Sequence, residues 1–190
     1  MSRSTTGSDR LLRKRAFLAA LWALSALGPV RPALAEEDVL PVSTQVSLLF
    51  KVLPYDRGFA ARAADGVTVG VVFAPRQDAS RIEKAAFVTA FGDAQRRAPS
   101  GELVKLVEIP EDRLEAFAPA CDALFLVDGV DYASAAALLA RLHVPSFAAA
   151  EAATSHGVPI AFVPRNGRPR ILLNGAAATD AGMVLDARFV

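Results

Sequence analysis

The chain has 190 residues, 53% of them hydrophobic, with 21 basic and 20 acidic side chains and one cysteine. Its first 35 residues hold six of the basic groups (Arg3, Arg10, Arg13, Lys14, Arg15, Arg31) and one acid (Asp9), so residues 36–190 carry 15 basic against 19 acidic groups, a net charge of −4. A mildly acidic body without a Lys/Arg cluster argues against a nucleic-acid partner, and Cys121 alone excludes an internal disulfide.

Residues 1–35 have the order of a secretory leader. Arg10, Arg13, Lys14 and Arg15 form a basic head, Ala16–Leu27 is an apolar run, and Gly28 and Pro29 break it. Ala33 and Ala35 then place small residues before a cleavage point. The run is shorter than the ~20 residues a membrane-spanning helix needs. The reading is a cleavable signal peptide over 1–35, a short tail over 36–42 and a single domain over 43–190, located in the periplasm. Lys14-Arg15-Ala16-Phe17-Leu18 also resembles a degenerate twin-arginine signal, so the export route stays open.

Val46, Leu49, Phe50 and Leu53 recur at helical spacing, which predicts an amphipathic helix from Ser43, its capping residue, to Pro54, which ends it. Asp56–Gly58 reads as a turn and 60–65 as a surface connection. Val67–Phe73 is β-branched and apolar, as a buried central strand should be. Asp78 is expected to cap a helix through about Arg96, with Ile82, Ala86 and Ala90 on one stripe and Phe87 and Phe91 beside it. Leu103–Ile109 reads as the next strand. Pro110, Glu111 and Asp112 suit a first helical turn, giving a short helix over 114–120. Ala123–Val127 is a third strand, Asp131 caps a helix to about Leu142, and 144–147 makes a fourth, weaker strand. One or two helical turns over 149–155 close at Gly157. Residues 159–163 and 170–173 flank Asn166-Gly167, the strongest short hairpin signal in the chain. Asn174 then caps a helix that stops at Gly182.

Strands separated by helices imply parallel pairing with right-handed crossovers. The fold class is therefore α/β: an open, mostly parallel sheet with helices on both faces and a C-terminal antiparallel hairpin. This single lobe resembles a periplasmic-binding-protein or flavodoxin-like layer.

Little in the sequence suggests catalysis. His143 and His156 fall at helix ends, where an imidazole meets free carbonyls, which reads as capping rather than metal binding. No Gly-x-Ser-x-Gly supports a hydrolase, and there is no dinucleotide or Walker loop. No catalytic residue, cofactor or metal is expected. A ligand crevice would lie beyond the C-terminal strand ends, carried by Arg76, Asp128 and Gly129, with plain capping turns as the alternative. Tyr55-Asp56-Arg57 is the other dense polar cluster. It reads as a structural turn, with Tyr55 packed and Asp56 accepting from Arg57 or a backbone N–H to hold the first helix on the sheet. The other reading is an interface, because aromatic and Arg residues anchor partners. Cys121 reads as a buried, inert thiol.

Phe50-Lys-Val-Leu-Pro-Tyr-Asp-Arg57, followed by Val69-Gly-Val-Val-Phe73, resembles the opening of the YfiR-like periplasmic proteins. Residues 160–174, which hold the hairpin and its Asn174, and the small-residue helix to Gly182 resemble their ending. The resemblance implies a non-enzymatic regulator that forms a homodimer. It would bind and repress the sensor domain of a membrane signalling protein, which in the best-understood members is a diguanylate cyclase. The residues themselves leave a second reading, a single-lobe periplasmic small-molecule (solute) binding protein.

Overall fold

Short branched and aromatic runs give six strands in the computed structural model, which describes residues 39–62, 66–97 and 104–189. The expected leader and the first residues of the tail lie outside these. The strands are β1 (Val67–Phe73), β2 (Val104–Pro110), β3 (Ala123–Leu126), β4 (Ser146–Ala148), β5 (Ile160–Arg165) and β6 (Arg168–Leu173). They form one sheet in the order β2-β1-β3-β4-β5-β6. The first five run parallel and β6 returns antiparallel on β5. This is the mostly parallel α/β sheet with a closing hairpin that the sequence predicts.

The helices are α1 (Val42–Val52), α2 (Phe59–Arg62), α3 (Asp78–Arg97), α4 (Leu114–Phe117), α5 (Tyr132–Leu142), α6 (Glu151–Ser155) and α7 (Gly175–Asp180). The link through α3 leads from β1 to β2, and the link through α5 leads from β3 to β4, in opposite directions across the sheet. Right-handed crossovers then put α3 and α5 on opposite faces. α1 packs beside α3, and α7 beside α5.

An aromatic row fills the α3 face. Phe87 stands 4.6 Å from Phe125 by ring centroids, Phe125 is 6.4 Å from Phe162, and Phe162 is 6.1 Å from Phe147. Phe50 of α1 joins it through Phe91 at 5.1 Å. Phe87, Phe125, Phe147 and Phe162 are wholly buried, and burying each ring stabilises the fold by about 1.5–3 kcal/mol. The other face is crowded at Gly70, where an added Cβ would come within 2.3 Å of Leu124 Cδ2 and 2.8 Å of Ile109 Cδ1.

The hairpin follows its turn chemistry. Asn166 and Gly167 both have positive φ (54° and 69°), the geometry of a two-residue turn that matches strand twist. Asn174 N donates to Pro159 O at 2.8 Å, which sets the parity of the ladder. Residues 170 and 172 therefore face β5, whereas 169, 171 and 173 turn their nitrogens outward. Pro169, with no N–H to give, occupies one of those outward positions.

Several local expectations are corrected. α1 begins at Val42 with Pro41 at its N-cap, and Ser43 caps nothing; its carbonyl accepts from Ser47 Oγ. Pro54 does not simply end the helix but sits in a 3-10 turn, Leu53–Tyr55, where its missing N–H costs nothing. Residues 59–62 form a helical turn rather than a plain connection. Asp78 is the first residue of α3 and pairs with Arg81; the cap position is Gln77, whose carbonyl accepts from Arg81 N. The buried stripe of α3 runs through Phe87 and Phe91, and Ile82 is 71% exposed. Pro119 splits the expected helix over 114–120 into an α-turn and a 3-10 turn. The caps at Asp131 and Asn174 form as expected, each accepting from the N–H three residues on.

Candidate functional site

The order β2-β1-β3 makes the C-terminal ends of β1 and β3 a switch point, where chain connections diverge and open α/β sheets bind ligands. Here that gap is filled. Gln77 Nε2 donates to Gly129 O at 2.8 Å, and Ala74 N donates to the buried Ser80 Oγ at 2.9 Å. Gly129 has φ +85°, and a Cβ there would meet Gln77 Oε1 at 2.5 Å. Gly129 is thus a turn residue under a strap, and Arg76 is exposed and lines neither of the two cavities described below. Of the three crevice residues expected, Asp128 alone lines the crevice beside the switch point.

The opening lies beside the switch point, over the ends of β3, β4 and β5. It is a crevice of about 900 Å³ between the N-terminal ends of α1 and α3. Val39, just before α1, with Val42 and Gln45 of α1 forms one wall, and Ala79, Ile82, Glu83 and Ala86 of α3 form another. Asp128, Tyr132, Ala149, Ala150, Glu151, Ala152, Val163 and Pro164 complete it. Its size suits a small ligand.

The polar lining has specific geometry. Asp128 N donates to Glu83 Oε2 at 2.8 Å, which brings two carboxylates together. Burial pushes the Glu83 carboxyl above its ordinary range; the Asp128 N–H opposes this, and the Asp128 carboxylate adds to it. Burial raises Tyr132 as well, reinforced by Asp128 and Glu83, so its phenol stays protonated. Gln45 is fully buried; its Nε2 donates to Leu40 O at 2.8 Å and its Oε1 has no hydrogen-bond partner. Glu83, Gln45 and Tyr132 are not legible as site residues from spacing, although a glutamine beside Val46 and Leu49 on an apolar helix face is a usable signal.

A second groove of about 870 Å³ runs along the α1–α3 seam, lined by Phe50, Pro54, Phe59, Val67, Ala90 and Val104 among others.

The Tyr55-Asp56-Arg57 cluster is a structural joint. Asp56 is buried and accepts from Gly58 N and Val184 N, each at 3.0 Å, and from Arg62. It does not accept from Arg57, which reaches Asp186 at 3.4 Å. The tie is to the C-terminal segment rather than to the sheet. Tyr55 is 38% exposed, its ring 5.5 Å from Phe189. Both histidines bind carbonyls through Nδ1: His156 takes Ala152 O of its own helix at 2.7 Å, and His143 crosses to Asp180 O at 2.9 Å. Among the described residues no three His, Cys, Asp or Glu side chains converge on a metal position, and no helix is long and apolar enough to cross a membrane.

No family model and no curated protein matches the chain. Solved structures share its layer. A conserved domain protein from Vibrio cholerae O1 biovar eltor aligns with a TM-score of 0.51 at 16% identity, over 78% of this chain and 57% of that one. An ABC domain in complex with L-Trp from Streptococcus pneumonia gives 0.53 at 14%, over 78% and 59%. CD0873 from Clostridium difficile, a substrate binding protein with adhesive properties in its ligand-free, open structure, gives 0.54 at 15%, over 78% and 57%. The likeness is one of fold. The chain spans a little under three fifths of the length of each of these proteins.

Proposed function

We propose that this chain is a non-enzymatic, single-lobe binding protein of the periplasm that captures a small molecule in the crevice between α1 and α3. The observation that carries the reading is the crevice itself, at the strand ends, with the buried Gln45, the half-buried Glu83 and the exposed Asp128 in its wall and no basic side chain in its lining. A single lobe can enclose a ligand only if it supplies both walls. Here Val39, Val42 and Gln45 stand as a second wall against the strand ends. The fold shared with a substrate binding protein and with an L-Trp-bound domain supports the reading. The test is a thermal-shift screen of amines, amino acids, sugars and nucleotides. A ligand at about 100 Kd adds about 2.7 kcal/mol of stability. Ala79→Trp, which fills the crevice from an exposed helix position, should abolish the shift. A flat response across the panel overturns the reading.

A second reading follows the YfiR-like resemblance: a homodimeric regulator that represses the sensor domain of a membrane signalling protein such as a diguanylate cyclase. The observation that favours it is the exposure of Tyr55 and Arg57 beside Phe189, an aromatic-arginine patch of the kind that anchors partners. Affinity capture from solubilised membranes tests it. One membrane sensor should be recovered, and lost with the folded variant Arg57→Ala. Unchanged cyclic di-GMP on gene deletion counts against the cyclase version.

A further inference from the structure

We infer that the crevice is an organic-ammonium site. It takes a primary or secondary amine carrying a flat apolar group, with Glu83 and Asp128 as anionic acceptors and the Gln45 amide oxygen as a neutral one. This rests on the binding-protein reading above and names the ligand class.

Three independent observations converge. The first is charge. Glu83 and Asp128 are held together by the 2.8 Å bond from Asp128 N, and neither pairs with a basic side chain among the described residues. Glu151, the other acid of the lining, is already matched by Arg165 at 2.5 Å. A carboxylate or phosphate ligand would meet only repulsion there. A cation supplies what two adjacent carboxylates, one of them half-buried, lack.

The second is Gln45. The donor end of its amide is fixed by Leu40 O, because a flipped amide would set oxygen against oxygen. The end left without a partner is therefore an acceptor, fully buried on the wall of the crevice. Buried polar atoms are seldom left unmatched in proteins, and this one calls for a donor. A primary ammonium brings three N–H donors, as many as the acceptors Glu83, Asp128 and Gln45, and a secondary one brings two.

The third is the apolar remainder. Val39 and Ile82 are 74% and 71% exposed at the mouth. With Val42, Val163, Pro164 and the Tyr132 ring they offer a hydrophobic lining that a bare metal ion would not use. An aromatic wall beside acids also suits a cation, which the ring face attracts.

The experiment is calorimetric titration of the full chain with tryptamine and phenethylamine, against the isosteres indole-3-acetate and 3-methylindole. The expected result is amine binding at least tenfold tighter than either isostere. It should weaken at least tenfold in Glu83→Gln and in Asp128→Asn, both of which keep the Asp128 N–H bond geometry available. Equal or tighter binding of the neutral or anionic isosteres overturns the inference and leaves a binding protein of another specificity. So does a panel ligand of any other class that stabilises the protein while both amines do not. No binding by any of the four, together with a flat panel, overturns the inference and the binding-protein reading at once.

Discussion

Asp56 and Val184 lie 128 positions apart in sequence and are joined by a 3.0 Å hydrogen bond from the Val184 N–H to the Asp56 carboxylate. Arg57 N to Val184 O (2.9 Å) and Asp186 N to Tyr55 O (2.8 Å) flank it, so the bond sits in a short antiparallel bridge that clamps the C-terminal segment to the end of α1. Asp56→Ala removes a buried acceptor of three donors. It should cost roughly 3 kcal/mol, read as a lower urea midpoint. Hydrogen exchange at Val184 and Asp186 should quicken in the same variant. Arg57→Ala, which touches only the exposed Asp186 pair, should cost less than about 1 kcal/mol.

Gly70→Ala tests the crowded face. With Leu124 Cδ2 2.3 Å from the new Cβ and Ile109 Cδ1 close behind, the strands must shift or the side chains leave their rotamers. The expected cost is about 1–3 kcal/mol by denaturant unfolding.

Cys121 should be slow to react. Burial pushes its thiol up to about 11, with Asp122 adding to the rise. At pH 8 the native thiolate is then far scarcer than in an unfolded chain, whose thiol titrates near ~8.5. Reaction with a chromogenic disulfide should be on the order of 100-fold slower for the native protein than in denaturant. Equal rates would sink the prediction.

Glu83 should weaken the empty protein at neutral pH. Its carboxyl titrates above the ordinary value when folded, so the folded state holds that proton more tightly than the unfolded one. The cost is present at pH 7 and is relieved as pH falls through the folded value. Glu83→Gln should therefore raise Tm at pH 7, with the gain fading by pH 4. Asp131 and Asp186 carry the opposite sign. Hydrogen bonds from Ser134 lower the first, and Arg188 holds the second well below the usual carboxylate range. Their contribution is present at neutral pH and is lost as pH falls below about 4. In Asp186→Asn the loss of stability on acidification should be shallower.

The local signals with their own chemistry were legible in the sequence. Asn166-Gly167 fixes a hairpin whatever surrounds it, β1 reads as a buried strand because all but one of its residues are branched or aromatic, and Asp131 and Asn174 cap the helices they precede. What depended on distant partners was not legible. The sequence places Asp56 beside Arg57, but the fold gives Asp56 to Arg62 and Val184 and gives Arg57 to Asp186. Asp128 was identifiable from the end of its strand. Gln45 and Glu83 reach the same crevice only because α1 and α3 lie side by side, a tertiary fact that helical spacing does not encode.

The placement of Pro169 bears on how the molecule behaves among copies of itself. With its nitrogen turned outward and unable to donate, and with Arg168 and Arg170 on either side, the outer border of β6 offers only Ile171 and Leu173 as N–H donors. A run that short gives another strand little to zip onto. One imino acid thus shortens the free edge at that end, so a change at position 169 would alter solubility before it altered shape.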